Sequence, residues 1–187
     1  MKKRHTPPVM RAASRSARQT KPTARNRAKT KPSKASASSY PTLSPGIAVH
    51  DAAKAIDFYK EAFGAVERYR LMDPESGKIG HAEITIKGAL IMLADEYPAF
   101  NKTPKTLSGT PVKLCLMSRN VDADFDRAIK AGADVISPVK DQFYGHRSGC
   151  LRDPFGHEWT ISKEVKKISP KEMQRRWNEM GSMSKAK

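Results

Sequence analysis

Two residues of one predicted strand, His81 and Glu83, carry the side chains best suited to acid–base chemistry. Only one residue separates them, and alternate residues of a strand point to the same face of a sheet. A histidine oriented by a carboxylate can act as a general base, and the same two side chains can form half of a metal site. An ordinary polar face at the edge of a sheet explains the pair equally well. The alternating Ala82, Ile84 and Ile86 are predicted to lie under a helix.

A second group of side chains favours recognition of an anion. Tyr144 and Arg147 lie close together in the segment 142–147, and a guanidinium binds a carboxylate, phosphate or phosphonate through two parallel hydrogen bonds. A loop with a surface arginine explains the same segment without a ligand. Lys113 is predicted on the inward face of another strand. A buried lysine is unfavourable without a counter-charge, so this position predicts an anionic ligand or a carboxylate such as Glu83.

Three further side chains have less direct interpretations. Trp159 is predicted to belong to the core or to form a wall of the ligand cavity. Cys115 and Cys150 are predicted to be small buried hydrophobic side chains. The sequence contains no P-loop, dinucleotide-binding fingerprint, zinc-finger spacing or Gly-x-Ser-x-Gly elbow, so the functions tied to those motifs are not indicated.

The elements that must position these residues occur twice, in the same order. Strands are predicted at 47–50, 65–72, 80–86 and 90–94 with a helix at 51–63, and again at 112–117, 133–136, 148–152 and 157–162 with a helix at 121–131. The glycines that end the two helices, Gly64 and Gly132, are 68 residues apart. A repeat of this length indicates a duplicated supersecondary module.

The duplication predicts an α+β fold in which two tandem βαβββ modules form a curved mixed sheet. One helix covers one side of each module, which leaves the other side concave and suited to a ligand. The predicted domain covers residues 41–165, with modules at 43–95 and 110–165. A disordered basic tail is predicted at 1–40, and a C-terminal helix and tail at 166–187.

The first 40 residues differ in composition from the rest. They hold 12 of the 35 Lys and Arg residues and no Asp or Glu, whereas the remaining 23 basic residues accompany 19 acidic ones. With so few large apolar side chains, the segment cannot offset the entropy lost on ordering. Its composition fits a solvated tail, a weak non-specific contact of residues 2–34 with nucleic acid, or a transit peptide. The prolines at 7, 8, 22 and 32 argue against the amphipathic helix of a transit peptide.

Composition excludes several classes of protein. No stretch approaches the roughly 18 consecutive apolar residues of a helical membrane span, and no apolar segment follows the charged N-terminus as in a secretory signal. Two cysteines argue against a disulfide framework and for a reducing compartment. We therefore expect a cytoplasmic location, or an organellar matrix if the tail is a transit peptide.

The C-terminal helix has an apolar face. Ser169 and Glu172 have the spacing of a capping box, which predicts where the helix begins. Met173, Trp177 and Met180 then fall on one side of it. This face is predicted to pack on its own domain, with a dimer interface as the alternative.

Four segments of the sequence carry a family resemblance: IAVHDAAKAIDFYKEAFG, GKIGHAEI, LRDPFGHEWTIS and SPKEMQRR. Together they resemble the vicinal oxygen chelate superfamily, which includes glyoxalase I, bleomycin- and fosfomycin-resistance proteins and extradiol dioxygenases. The resemblance covers residues 43–180 and is strongest to the PhnB-like, glyoxalase-like branch. It implies the glyoxalase/bleomycin-resistance fold and a homodimer.

Metal-dependent members of that superfamily place four ligands on the first and last strands of each module. The matching positions here fall near Ser44, Met92, Lys113 and Thr160, none of which is a usual ligand for a divalent ion. A register shift of two residues brings in Cys115 and Glu158 but still no set of four. We therefore predict no metal and no other cofactor, and a metal-dependent lyase or dioxygenase only if the register is misjudged.

The predicted function is binding of a small anionic or polar metabolite in the cavity of the sheet, with metal-independent acid–base chemistry. His81 and Glu83 are the predicted catalytic residues, and Arg147 with Lys113 is predicted to hold the anion. The predicted substrate-binding residues are Lys113, Tyr144, Arg147 and Trp159. The sequence leaves open whether a reaction occurs: an enzyme would be lyase- or dioxygenase-like, and a resistance-type protein would sequester a drug or metabolite unchanged.

Overall fold

The computed structural model describes residues 40–185, with side chains up to residue 181. Apart from Tyr40, the predicted tail at 1–40 lies outside the described residues. None of the helices in the described part of the chain combines the length and apolar content that a membrane crossing requires.

The first module has the predicted βαβββ order. Its elements are β1 (Gly46–Val49), α1 (Ala52–Phe63), β2 (Val66–Met72), β3 (Ile79–Ile86) and β4 (Ala89–Asp95). The strands form a sheet in the order β1-β4-β3-β2, in which β1 is parallel to β4 and the other pairs are antiparallel. The side chain of Asp51 caps α1 by accepting from the Lys54 N–H at 3.0 Å. Gly64, with φ +67°, ends the helix as predicted.

The second module repeats this arrangement after a linker. The linker contains α2 (Pro104–Leu107), and the module contains β5 (Lys113–Met117), α3 (Val121–Lys130), β6 (Asp134–Asp141), β7 (His146–Arg152) and β8 (Glu158–Glu164). The strand order β5-β8-β7-β6 is equivalent to that of the first sheet, which confirms the predicted duplication. Helix α2 was not predicted, because its four residues are too few to show a helical periodicity.

Two boundaries in the second module differ from the prediction. The second strand of this module, β6, continues past Ile136 and includes Pro138. A proline is tolerated there because β6 is an edge strand, and its pairing with β7 is irregular on either side of Ser137. Since β7 begins at His146, Arg147 lies in a strand and not in the predicted loop.

The core lies between the two helices and one face of each sheet, and α1 packs against α3. Ala82, Ile84 and Ile86 are buried on this face, as the alternation in β3 predicts. Fully burying a side chain such as Ile84 contributes about 1.5–3 kcal/mol to folding.

One buried carboxylate connects the two modules. Asp153, in the turn between β7 and β8, accepts from the Tyr59 hydroxyl of α1 at 2.8 Å and from Trp159 Nε1 at 2.9 Å. It also accepts from the backbone N–H groups of Phe155 (3.0 Å) and His157 (2.9 Å). A buried carboxylate with this many donors is well compensated for its loss of water.

The C-terminal helix, α4 (Pro170–Lys185), packs less closely than predicted. Its Trp177 and Met180 side chains are 61% and 51% exposed. The Trp177 ring contacts Phe143, with 5.5 Å between ring centroids, and Arg176 donates to the Phe143 carbonyl at 3.0 Å. The predicted packing on the domain is therefore partial, and a dimer interface on this face stays a prediction.

Candidate functional site

The face of the first sheet turned away from α1 bears a hollow. Its volume is about 310 Å³. The residues around it are Gly46, Ile47, Ala48, His81, Met92, Leu93, Ala94, Asn101 and Lys102. His81 is its aromatic acid–base group, and about a third of this side chain is exposed. As predicted, His81 and Glu83 lie on the same face of β3, with 3.6 Å between His81 Nε2 and Glu83 Oε1.

Glu83 is a buried carboxylate with specific partners. Only 1% of it is exposed, and it accepts from the Tyr69 hydroxyl at 2.7 Å and from Arg68 Nη1 at 2.8 Å. Burial by itself raises the pKa of Glu83, but hydrogen bonds from Tyr69 and Tyr40 and the charge of Arg68 hold that pKa below its usual value. Glu83 is therefore ionised at neutral pH, and both of its oxygens are occupied.

This arrangement divides the roles of the two residues. The Glu83 carboxylate is unavailable as a base toward a ligand, because Arg68 and Tyr69 already donate to it. At 3.6 Å the Glu83 carboxylate lies beside the His81 imidazole, but the contact is too long for a hydrogen bond. His81 can thus exchange a proton in the hollow, with Glu83 as the positioning residue behind it.

Sequence reasoning missed Arg68, Tyr69 and Tyr40. The strand register places Tyr69 directly opposite Glu83, after an irregularity between Glu67 and Tyr69. Without that irregularity, Arg68 would face Glu83. The sequence did contain one signal for them. A buried acid such as Glu83 needs a cation or hydrogen-bond donors nearby, and the neighbouring predicted strand 65–72 contains Arg68 and Tyr69.

Lys113 lies on the open face of the second sheet. It was predicted to be buried, and this prediction is wrong. More than half of its side chain is exposed, and its Nζ lies 3.2 Å from Glu158 Oε2. On the other side of the same carboxylate, Arg152 Nη2 lies 3.1 Å from Oε1. The carboxylate that partners Lys113 is therefore Glu158, its cross-strand neighbour, and not Glu83.

Arg147 does not join Lys113 in one anion pocket. Its guanidinium binds the Asp122 carboxylate through Nε (2.9 Å) and Nη2 (2.6 Å) and Asp141 through Nη1 (3.1 Å). Strand alternation puts Arg147 and Arg152 on opposite faces of β7, and Arg152 shares the face of Lys113. The structure thus separates the two cations that were predicted to hold one anion.

Tyr144 lies near the open face of the second sheet. Its hydroxyl is 3.2 Å from Ser148 Oγ, and its ring centroid is 5.4 Å from that of His146. His146 Nδ1 in turn lies 2.9 Å from Ser162 Oγ. Tyr144 therefore belongs to a polar cluster far along the chain from His81, in a different sheet.

The remaining predicted side chains divide between core and surface. Trp159 is 2% exposed and packs against Phe63, so it belongs to the core and forms no wall of the hollow. Cys115 is exposed, contrary to prediction, because it lies on the open face of β5. Cys150 is half-buried, with its Sγ 3.1 Å from Thr160 Oγ1.

The positions expected for metal ligands were Ser44, Met92, Lys113 and Thr160. Ser44 precedes β1, and the register pairs Met92 with Gly46, Lys113 with Glu158 and Thr160 with Cys115. None of the four expected residues is a usual ligand for a divalent ion, and the carboxylate of the neighbouring Glu158 is already bound by two cations. Within residues 40–185, moreover, no three His, Cys, Asp or Glu side chains are grouped closely enough to hold an ion.

A family model described as the Glyoxalase/Bleomycin resistance protein/Dioxygenase superfamily matches residues 42–161. The chain belongs to this superfamily. The resemblance stated from the sequence motifs is thereby confirmed, together with the α+β fold of paired βαβββ modules.

Relatives of this superfamily occur in distant organisms. An uncharacterized protein of Mycobacterium bovis is 43% identical over 145 residues, which cover 75% of this chain and 95% of that protein. An uncharacterized protein of Arabidopsis thaliana is 28% identical over 118 residues, covering 59% of this chain and 70% of that protein. Neither name describes an activity.

Solved structures show the same fold. TioX from Micromonospora sp. ML1 is 26% identical with a TM-score of 0.53, and the match covers 67% of this chain and 100% of TioX. A PhnB protein from Bacillus cereus, described as a putative 3-demethylubiquinone-9 3-methyltransferase, is 18% identical with a TM-score of 0.52, over 66% of this chain and 99% of that one. At 18% identity the PhnB protein shows the fold alone.

Proposed function

We propose that this superfamily member binds a small polar or anionic metabolite in the hollow of the first sheet, without a metal ion. The observation that supports the proposal is the set of residues on the first and last strands of each module, where Gly46 pairs with Met92 and Lys113 pairs with Glu158. His81, in contrast, borders the hollow. A glycine, a thioether and an ion-paired lysine and glutamate cannot supply four ligands to a divalent ion.

His81 is the proposed catalytic residue. It takes a proton from a bound hydroxyl or acidic C–H group, or donates one, with the Glu83 carboxylate 3.6 Å from its Nε2. Lys102, which also borders the hollow, offers a cation to a carboxylate of the ligand.

Binding without conversion is the second candidate function. It is supported by the scarcity of titratable groups: of the residues bordering the hollow, only His81 and Lys102 titrate. General acid–base catalysis often uses two groups with different proton affinities, whereas a sequestering protein needs none.

Thermal melting of the chelator-treated chain tests the proposal. A ligand that binds only the native state raises the melting temperature by mass action, by the equivalent of about 2.7 kcal/mol at one hundred times its Kd. We expect a saturable rise with at least one member of a panel of small carboxylates, phosphonates and hydroxy acids, and none with Ni²⁺, Co²⁺, Zn²⁺ or Mn²⁺. NMR of the recovered ligand then distinguishes conversion from sequestration.

Two variants localise the response. His81→Ala should reduce the rise caused by the metabolite, because it removes one of the polar side chains that border the hollow. Thr85→Ala, on the same face of β3 but outside the residues bordering the hollow, should keep it. A saturable rise with a metal ion, or an unchanged metabolite response in His81→Ala, contradicts the proposal.

A further inference from the structure

A second cavity, of about 320 Å³, lies between α2 and the turn that joins β7 to β8. Its lining residues are His50, Pro104, Lys105, Ser108, Gly109, Thr110, Arg152, Pro154, Phe155, Gly156 and Glu158. None of them borders the hollow that contains His81. The two cavities therefore have different lining residues, although a third cavity between them shares Gly46 and Lys102 with the hollow and Pro104 and Gly109 with this one.

The charges around this second cavity are predominantly positive. Its lining includes Lys105 and Arg152, and Glu158 is the one carboxylate among the lining residues. Arg152 and Lys113 bind that carboxylate from two sides, at 3.1 Å and 3.2 Å. Asp153 lies beside Arg152 in the chain, but its carboxylate is buried in the core.

Lys105 is the cation without a counter-charge in this region. It is exposed, and within residues 40–185 it forms no ion pair. Lys105 and Arg152 line the cavity, and Lys113 binds the lining carboxylate Glu158 from outside the lining, so these three cations and one carboxylate leave an excess of two positive charges. Hydrogen bonds from Arg152 and Lys113 hold the pKa of Glu158 below its usual value, so this carboxylate stays ionised and keeps Arg152 in place.

The cavity lining also includes apolar, closely packed residues. Pro104 and Pro154 contribute to it, together with Phe155, whose ring centroid lies 5.2 Å from that of His50. The turn packs directly on α2: a Cβ at Gly156, where φ is +92°, would lie 2.8 Å from Pro104 Cβ. The cavity wall is therefore held in shape by a contact that only glycine permits.

We propose that this cavity binds a small molecule in which a doubly charged oxyanion, a phosphate monoester or phosphonate, is attached to a flat apolar group. Lys105 and Arg152 contact the oxyanion, because ammonium and guanidinium groups donate charge-assisted hydrogen bonds to it. Phe155 and the two prolines contact the apolar group. Glu158 acts as a positioning residue by fixing the Arg152 side chain.

Isothermal titration calorimetry of the full chain with phenyl phosphate tests the proposal. Inorganic phosphate and benzyl alcohol serve as probes that carry only the anion or only the ring, all at one ionic strength. We expect phenyl phosphate to bind more tightly than either probe. Lys105→Gln and Arg152→Gln should each weaken its binding about tenfold or more, the usual effect of losing one charged hydrogen bond.

Lys171→Gln is the matched control. Lys171 is an exposed lysine of α4, which contacts the chain at Phe143, at the opposite end of β7 from the cavity. The seven residues of β7 separate the two ends by roughly 20 Å. This variant should keep the parent affinity. His81→Ala should keep it as well, because His81 borders the other cavity.

Several results overturn the proposal. The first is an absence of heat with phenyl phosphate, and the second is equal affinity of parent, Lys105→Gln and Arg152→Gln, as binding by the basic residues 1–40 would give. Weakening by His81→Ala would show that the two cavities are not separate. If Arg152→Gln does not fold, Lys105→Gln decides, because Lys105 is exposed and has no ion pair among the described residues.

Discussion

Glu83 is an ionised side chain that is almost completely removed from water. A buried charge is tolerated when its lone pairs are filled by donors and a counter-charge lies close by. Tyr69 and Arg68 supply both conditions, each from β2. The acid–base face of the first sheet therefore depends on residues that do not themselves reach the hollow.

The Glu83 cluster should make stability depend on pH in a defined direction. Its folded-state pKa lies below the ordinary value of 4.5, so its stabilising effect is fully present above about pH 4.5 and is lost as the pH falls through the folded pKa. Glu83→Gln should lower the melting temperature at pH 7, and the difference from the parent should shrink below pH 4.5. Thermal melts between about pH 3 and pH 8 measure this difference.

Glu61→Gln provides the control for that series. Glu61 is an exposed residue of α1. The melting temperature of Glu61→Gln should stay within about 2 °C of that of the parent at each pH, because substitutions at exposed surface positions usually change stability little. A difference between parent and Glu83→Gln that stays constant down to pH 3 would contradict the assignment.

At this scale the sequence predicted which side chains share a face, but not which ones touch. The alternation of β3 placed His81 and Glu83 correctly. The irregularity in β2 concealed the contact of Tyr69 with Glu83. Lys113 was assigned a distant carboxylate because cross-strand register, which pairs it with Glu158, depends on hydrogen bonding between strands far apart in sequence.

At the scale of elements, one turn fixes how the second sheet leads into α4. Gly145 ends the turn between β6 and β7 with φ +87°, and its carbonyl accepts from the N–H groups of Val165 and Lys166, both at 2.9 Å. A Cβ at Gly145 would lie 2.1 Å from the Lys166 carbonyl oxygen. The segment after β8 is thus held against a glycine that has no room for a side chain.

Gly145→Ala should destabilise the fold strongly. Gly77→Ala is its matched control, because Gly77 also has a positive φ, +67°, but open space around its Cβ position. The control should cost about 1 kcal/mol in free energy of unfolding from backbone strain alone. Gly145→Ala should cost about 1–3 kcal/mol more because the backbone must move. Urea denaturation of both variants compares them, and equal losses would show that the contact with Lys166 is unimportant.

The element order was predictable because apolar periodicity and helix-ending glycines repeat along the chain. The predictions that failed concern the end of β6 and the packing of α4, which depend on neighbouring elements and not on the local sequence. The strand predicted at 133–136 continues as β6 through Pro138, because the outer edge of β6 needs no donor. The packing of α4 could not be predicted from its apolar face, since such a face does not specify what covers it.

At the scale of the whole molecule, the two modules share one buried polar centre. Asp153 belongs to the second module, while its partner Tyr59 belongs to α1 of the first. The predicted homodimer and the predicted nucleic-acid contact of residues 2–34 concern surfaces beyond this centre and stay predictions.

Asp153→Asn should destabilise the protein by about 1–3 kcal/mol, because one amide N–H₂ would then face the donor groups of Tyr59 and Trp159. Tyr59→Phe removes a single hydrogen bond and should cost about 1 kcal/mol. Thermal unfolding followed by tryptophan fluorescence and by far-ultraviolet circular dichroism measures both losses. An Asp153→Asn variant as stable as Tyr59→Phe would contradict the shared role of the carboxylate.

The register of the two sheets has a consequence for how such a protein can arise and diversify. In each module the first strand lies beside the last, so a module begins and ends at the same edge of its sheet. A second copy of the module can therefore follow the first along the chain, here through the connection 96–112 that contains α2. Once the copies are joined, matching positions are free to diverge: Gly46 and Met92 now form an uncharged pair, whereas Lys113 and Glu158 form a charged one. The two halves of the chain therefore share one backbone arrangement but differ in the charge of their matching side chains.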